Sequence, residues 1–335
     1  MSNKRFGCLG IGLILLLCLS LFFNLVFLIG SGRRIATSRL LPARQPHYSE
    51  ALVQAGSDGV SEKIALISLR GLISSTIGGS LGETMVDDIK TALRQATDDY
   101  RVKAIVLSID SPGGEVTASD TIYNAVRKAR ERKPVVVYMG SVAASGGYYI
   151  ACGGKYLMAN ETTITGSIGV IIQTLNYQNL LGKIGLESVV FKSGKFKDML
   201  SGARTLTPEE AAYIQALVMQ TYDKFVGIVA AERKLPVDEL RNGIADGRII
   251  SGKDALADKL INQVGQIEDA YDKARELGHA AGAAVIRYEA PFHFGRLFRM
   301  FGQSSDSKIQ INLLERFMPE LESGKVYLLP SFYAP

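Results

Sequence analysis

The sequence predicts an α/β fold with a largely parallel sheet, and two observations carry that expectation. Short apolar runs of strand length alternate with segments whose apolar residues recur at helical spacing. The runs Ile64 to Leu69, Ala104 to Ile109 and Val135 to Tyr138 read as buried strands, and the last two lead into turns rich in small residues.

Taken in order, the chain of 335 residues begins with an apolar stretch. Gly7 to Gly30 carries no charge and is long enough to cross a bilayer, which takes about 20 residues. It exceeds the apolar region of a signal peptide, and no A-x-A cleavage site follows it. Residues 1–30 are therefore expected to form an uncleaved anchor, one transmembrane helix. Lys4 and Arg5 precede it while Arg33, Arg34, Arg39 and Arg44 follow, so the positive-inside rule does not orient it. Residues 31–60, rich in Arg, Ser, Pro, Gly and Gln, are expected to be a linker.

The folded domain is expected over residues 61–290. Apolar Met85, Ile89, Leu93 and Ala96 predict a helix over Glu83 to Asp98, and a second helix is expected over Thr117 to Arg132. Further short strands are predicted at Lys155 to Ala159, Gly169 to Gln173 and Glu187 to Phe191, with a helix at Tyr177 to Ile184 between the last two. Thr207-Pro208-Glu209-Glu210 is a strong helix start, with a threonine cap, proline at the first position and glutamate at the third. That helix is expected to run to Arg233, with later ones at Lys253 to Leu260 and Ile267 to Leu277. The tail, residues 291–335, mixes phenylalanine with arginine and ends in an apolar, extended run from Val326, a terminus that needs somewhere to dock. An oligomer, membrane or active-site contact would each serve.

Net charge is +5, with no basic stripe interleaved with aromatics, so nucleic-acid binding has no support. Of Cys8, Cys18 and Cys152, two lie in the anchor, which leaves no intradomain disulfide for the folded part.

The chemistry concentrates in three stretches. Ser145 follows an apolar strand, is preceded by two alanines, and is followed by Gly146 and Gly147. A serine in an open strand-to-helix turn suits a nucleophile, though the same residues also suit a tight packing turn. Ser111-Pro112-Gly113-Gly114 ends another strand, and the N–H groups of Gly113 and Gly146 could form a two-donor oxyanion hole. A nucleophilic serine needs a base, and His47, His279 and His293 lie far from these strand-helix units. A lysine serves if burial keeps it neutral, and the stretch Phe191 to Asp198 offers Lys192, Lys195 and Lys197 without singling one out.

Five stretches occur in order: Asp110 to Gly114, Ala143 to Tyr148, Thr165 to Gly169, Ser193 to Asp198 and Gly247 to Gly252. Together they resemble the bacterial signal peptide peptidase A family, in its half-length form, over about residues 60 to 280. The resemblance implies a Clp protease/crotonase-like fold of repeated ββα units and a serine-lysine dyad, with no cofactor and no metal. It matches Ser145 to the nucleophile, Lys197 to the general base, Ser167 to a hydroxyl that orients the lysine, and Gly113 and Gly146 to the oxyanion donors. Lys195 is the rival base. In a half-length chain the same geometry implies a homo-oligomeric ring, with Ser145 of one copy meeting Lys197 of a neighbour. The implied substrates are remnant signal peptides and other apolar peptides. The implied location is the cell membrane, single-pass, with the catalytic domain extracytoplasmic. A protease acting on a specific membrane protein and a crotonase-like acyl-CoA enzyme are the alternatives.

Overall fold

The computed structural model describes residues 19–24, 47–76, 84–289 and 327–328. Helix α1, described over residues 19–24, is exposed, and most of the expected anchor lies outside the described residues. Among those residues, no helix is long and apolar enough to cross a membrane.

A nine-stranded sheet organises the rest. Its central strands are β2 (Lys63–Arg70), β3 (Val102–Ser111) and β5 (Val135–Ala144), paired in parallel. Their side chains are buried on alternate faces in two apolar layers, which accounts for the near-continuous apolar runs. β6 (Tyr156–Ala159) and β9 (Gln263–Val264) extend the sheet in parallel beyond β5. β7 (Ile164–Gly166) pairs in parallel with the carboxyl end of β5, and β8 (Ile249–Ser251) runs antiparallel to β7.

One face is covered by α2 (Met85–Asp98), α3 (Val116–Arg130), α4 (Gly146–Ala151) and part of α6 (Pro208–Arg233). The other is covered by α9 (Ile267–Leu277), through Ala270, Tyr271 and Ala274. α6 carries the expected capping box: Thr207 accepts from the Glu210 amide, and the Glu210 side chain accepts from the Thr207 amide. Its second half is anchored by buried Phe225, Val226 and Val229. Arg130 donates to Glu232 at 2.7 Å, tying the helix to α3.

Two sequence expectations need correction. Residues 49–54, placed in the linker, form β1 (Ser49–Gln54), antiparallel to β10 (Ala284–Glu289). β10 in turn pairs in parallel with β2, so the folded part starts before Lys63. Tyr48 secures this entry: its amide donates to the Gln95 side chain at 2.8 Å, and the Gln95 amide returns a bond to its carbonyl at 2.9 Å. Residues 169–173 and 187–191 form no strand. Their segment projects as an arm, with Leu175 78%, Val189 70% and Phe191 95% exposed. Its apolar residues have no sheet in the same chain to join. The arm contains α5 (Gln178–Lys183), close to the helix expected there.

Candidate active site

β5 delivers Ser145 to the start of α4 in a strained backbone conformation, φ 52° and ψ −116°. Non-glycine residues seldom adopt positive φ, and such strain concentrates at functional sites. The Ser145 amide donates to the Gly166 carbonyl at 2.8 Å, which holds the bend. Its Oγ is fully buried and has no hydrogen-bond partner among the described residues. A buried hydroxyl without a partner is costly in a purely structural position.

The glycines after Ser145 are dictated by close approach. A Cβ on Gly147 would lie 2.8 Å from the Ser111 carbonyl oxygen. One on Gly146 would lie 2.6 Å from Ser119 Oγ, 3.1 Å from the Gly114 nitrogen and 3.2 Å from Gly113 Cα. The Ser145 turn therefore presses directly on the Ser111 to Gly114 turn, and the fold brings these two motifs together. Gly146 N–H belongs to the first turn of α4, where amides lack an intrahelical acceptor. The Gly113 amide instead donates to Ser111 Oγ at 3.1 Å, so this expected oxyanion donor has a partner within the chain. The sequence gives no sign of that bond, because a serine two residues earlier in a proline-glycine turn has several acceptable rotamers.

Ser167 follows the strand next to the one that delivers Ser145. Ala144 and Gly166, the paired last residues of β5 and β7, immediately precede the two serines. Ser167 also has positive φ, 50°, and its amide donates to the Arg248 carbonyl at 2.7 Å. The Gly247 to Gly252 stretch thus acquires a physical role: Arg248 supplies that carbonyl, and β8 braces β7. In the sequence alone this stretch carries no visible task.

Lys197 is not hydrogen-bonded to Ser145 within the chain. It sits in the turn that follows Gly194, its amide donating to the Gly194 carbonyl at 3.1 Å, and its side chain is exposed. The charges around it sort the three lysines. Lys192 donates to Asp198 at 2.7 Å, and Lys195 donates to Glu209 at 2.5 Å. Arg204 forks onto both Asp198 and Glu210. Hydrogen bonds from Arg204 and then Lys192 hold the Asp198 carboxyl well below the usual carboxylate range. Arg204, followed by the Thr207 amide, holds Glu210 down to about 2. Lys197 makes no ion pair among the described residues. Of the histidines, His47 and His279 make no bond to Ser145, and His293 lies outside the described residues.

The tail also reaches this region. Backbone strand β11 (Tyr327–Leu328) runs antiparallel to β4 (Gly114–Glu115), pairing Leu328 with Gly114 and Tyr327 with Glu115. A strand added at this edge lies in the position of an extended peptide beside the Gly113–Gly146 contact. No group of three or more His, Cys, Asp or Glu that could hold a metal occurs among the described residues.

Comparison with known proteins matches this architecture. Residues 127–281 match the model of peptidase family S49, and residues 68–173 match that of Clp protease. A protein of Enterococcus faecium with the provisional name signal peptide peptidase SppA is 34% identical over 297 residues, covering 86% of this chain and 85% of its own. The chloroplastic serine protease SPPA of Arabidopsis thaliana is 34% identical over 225 residues, covering 66% of this chain and 33% of its own. Protease 4 of Salmonella typhi is 38% identical over 218 residues, covering 64% and 34%. The match takes in only about a third of these two longer relatives. Similarity to the Enterococcus protein over 85% of its length, the S49 match across the Lys197 arm and the shared Clp-type core lead to one conclusion: this chain belongs to peptidase family S49 and is a serine endopeptidase.

Proposed function

We propose that this chain is a membrane-anchored endopeptidase that cleaves remnant signal peptides with Ser145 as nucleophile and Lys197 as general base, the two residues coming from neighbouring copies. The observation that carries this reading is a complementary pair of orphans. Among the described residues, Ser145 Oγ is buried with no hydrogen-bond partner, and Lys197 is the one lysine between Phe191 and Asp198 without an ion pair, on an exposed apolar arm. Lys192 and Lys195 are each engaged by a carboxylate, which leaves their amines occupied. Exposed Leu175, Leu180, Ile184, Leu186, Val189 and Phe191 give the arm a surface suited to a second copy. Covering it would also exclude the water that keeps an amine protonated.

In the assembled site the neutral Lys197 amine takes the Ser145 hydroxyl proton as Oγ attacks the scissile carbonyl carbon. Ser167, which directly follows the paired end of β7, orients the amine. The developing oxyanion is stabilised by the Gly146 amide and, once it leaves Ser111 Oγ, by the Gly113 amide; one such donor is worth about 3 kcal/mol. The lysine ammonium then protonates the leaving amine and the peptide bond breaks, leaving an acyl-enzyme. Water gives a proton to the Lys197 amine as its oxygen attacks the ester carbonyl carbon, and the ammonium passes that proton to Oγ as the ester C–O bond breaks, releasing the acid and restoring the Ser145 hydroxyl and the neutral amine.

Signal peptides are apolar, extended when bound and rich in small residues, which suits edge pairing to β4 near a membrane. The tail strand at that edge mimics such a substrate, and it occupies the groove as a competitor that the enzyme itself can trim. The test is peptide cleavage by the purified full chain in detergent. Ser145→Ala and Lys197→Ala should abolish turnover, and Lys195→Ala should largely spare it. Activity in Lys197→Ala together with its loss in Lys195→Ala would reverse the assignment.

A further inference from the structure

We propose that Arg204 is a positioning residue for the lysine base: its double fork onto Asp198 and Glu210 fixes the Lys197 turn against α6 and keeps neighbouring carboxylates from capturing the Lys197 amine. The inference rests on the serine-lysine reading above and adds a device that this reading does not contain.

The geometry is specific. Arg204 Nε and Nη2 donate to the two Asp198 oxygens at 2.9 and 2.7 Å. Nη1 and Nη2 donate to the two Glu210 oxygens at 2.9 and 2.5 Å. One planar guanidinium thus joins the residue next to Lys197 to the third residue of α6, and bidentate pairing of this kind fixes orientation as well as distance. Glu210 is itself held by the Thr207 amide at 2.9 Å, and its side chain is 4% exposed. The clamp is therefore built on the capping box of the longest described helix. A second brace lies beside it, where Phe196 stacks on Tyr213 with ring centroids 5.5 Å apart.

The charges give the clamp its second task. Between residues 192 and 210 stand four cations, Lys192, Lys195, Lys197 and Arg204, and three carboxylates, Asp198, Glu209 and Glu210. Each carboxylate is engaged by a cation other than Lys197. A carboxylate released beside an amine favours the ammonium form by about 1 to 3 pH units, the wrong direction for a base. Lys192 takes only Oδ1 of Asp198, and Arg204 alone takes Oδ2; with Arg204 in place both oxygens are engaged and the Lys197 amine is left unpaired.

The experiment measures kcat, KM and the acid limb of the kcat/KM pH profile for wild type, Arg204→Met, Asp198→Asn and the double variant, with thermal melting and size-exclusion as folding controls. Arg204→Met should lower kcat at least about tenfold with KM little changed, and should move the acid limb about one unit to higher pH. Adding Asp198→Asn to it should return the limb to its wild-type position, while kcat stays low because the fork is absent. A structural role alone does not produce that return. Wild-type kcat and limb in Arg204→Met would overturn the proposal, as would a limb that Asp198→Asn fails to move back. If Arg204→Met does not stay folded, Arg204→Lys, which keeps the charge and loses the fork, is judged by the same criteria. Lys197→Ala is run beside them. Activity there defeats the dyad itself, whereas inactivity there beside a wild-type-like Arg204→Met defeats the clamp alone.

Discussion

The Ser145 amide donates to the Gly166 carbonyl across 2.8 Å, and that bond ties the Ser145 bend to the end of β7, one residue before Ser167. The next amide along, that of Ser167, donates to Arg248 at 2.7 Å. Ser145, Ser167 and β8 are thus linked in series through main-chain atoms, and the positive φ at the two serines is the conformational cost of the series.

Gly166 is the most sensitive member. At φ 74° a Cβ would lie 3.1 Å from the Arg248 carbonyl oxygen and 3.1 Å from Ile250 Cγ1. Gly166→Ala should destabilise the fold by about 1–2 kcal/mol from the left-handed conformation alone, seen as a lower denaturation midpoint. Its kcat should fall more than its stability implies, because Ser145 and Ser167 move apart.

The arm should uncouple activity from stability. A Cβ on Gly202 would collide with the Leu175 carbonyl oxygen and approach the Tyr177 ring to 2.5 Å, at the point where Tyr177 donates to Gly202. Gly202→Ala should cost about a hundredfold in turnover through displacement of Lys197. The melting temperature should change little, because the apolar core draws nothing from residues 171–206. Chemical denaturation beside a turnover assay checks both halves.

The clamp also sets a pH dependence of stability. Glu210 lies near 4.5 when unfolded and is held down to about 2 in the fold, with Arg204 the leading cause. A carboxyl lowered by folding stabilises above its unfolded value and loses that contribution as pH falls through the folded one. The melting-temperature advantage of wild type over Glu210→Gln should be full above about pH 4.5 and should close as pH falls towards 2. An advantage that persists unchanged to pH 2 would contradict the pairing.

Edge pairing of the tail with Gly114 and Glu115 predicts competition with substrate. Removal of residues 326–335 should raise kcat/KM on short apolar peptides several-fold. On incubation, the intact mass of wild type should fall by C-terminal residues, while that of Ser145→Ala stays constant.

Much of this was legible in the sequence for local reasons. The Ser145 bend, the Thr207 cap and the helix at Ile267–Leu277 rest on near-neighbour chemistry, and the structure contains each of them. β1 was hidden because its partner β10 lies more than two hundred residues away, and polar Ser49, Glu50 and Gln54 give it no buried stripe. The apolar residues of 187–191 read as a strand because apolar pattern reports burial without saying against what. In the single chain they face outward. Lys197 could not be separated from Lys192 and Lys195 by residue type. What separates them is which carboxylates the others take, and that depends on α6 folding back beside the turn.

The central claim is that Ser145 of one copy is served by Lys197 of another, and mixing two inactive chains tests it most directly. Ser145→Ala and Lys197→Ala are each assayed alone, then combined in equal amounts with subunit exchange verified by labelled chains. Random assembly gives an intact serine and an intact lysine at about one site in four, so about a quarter of wild-type cleavage should return. Mixtures that exchange subunits and remain as inactive as their components would contradict the account.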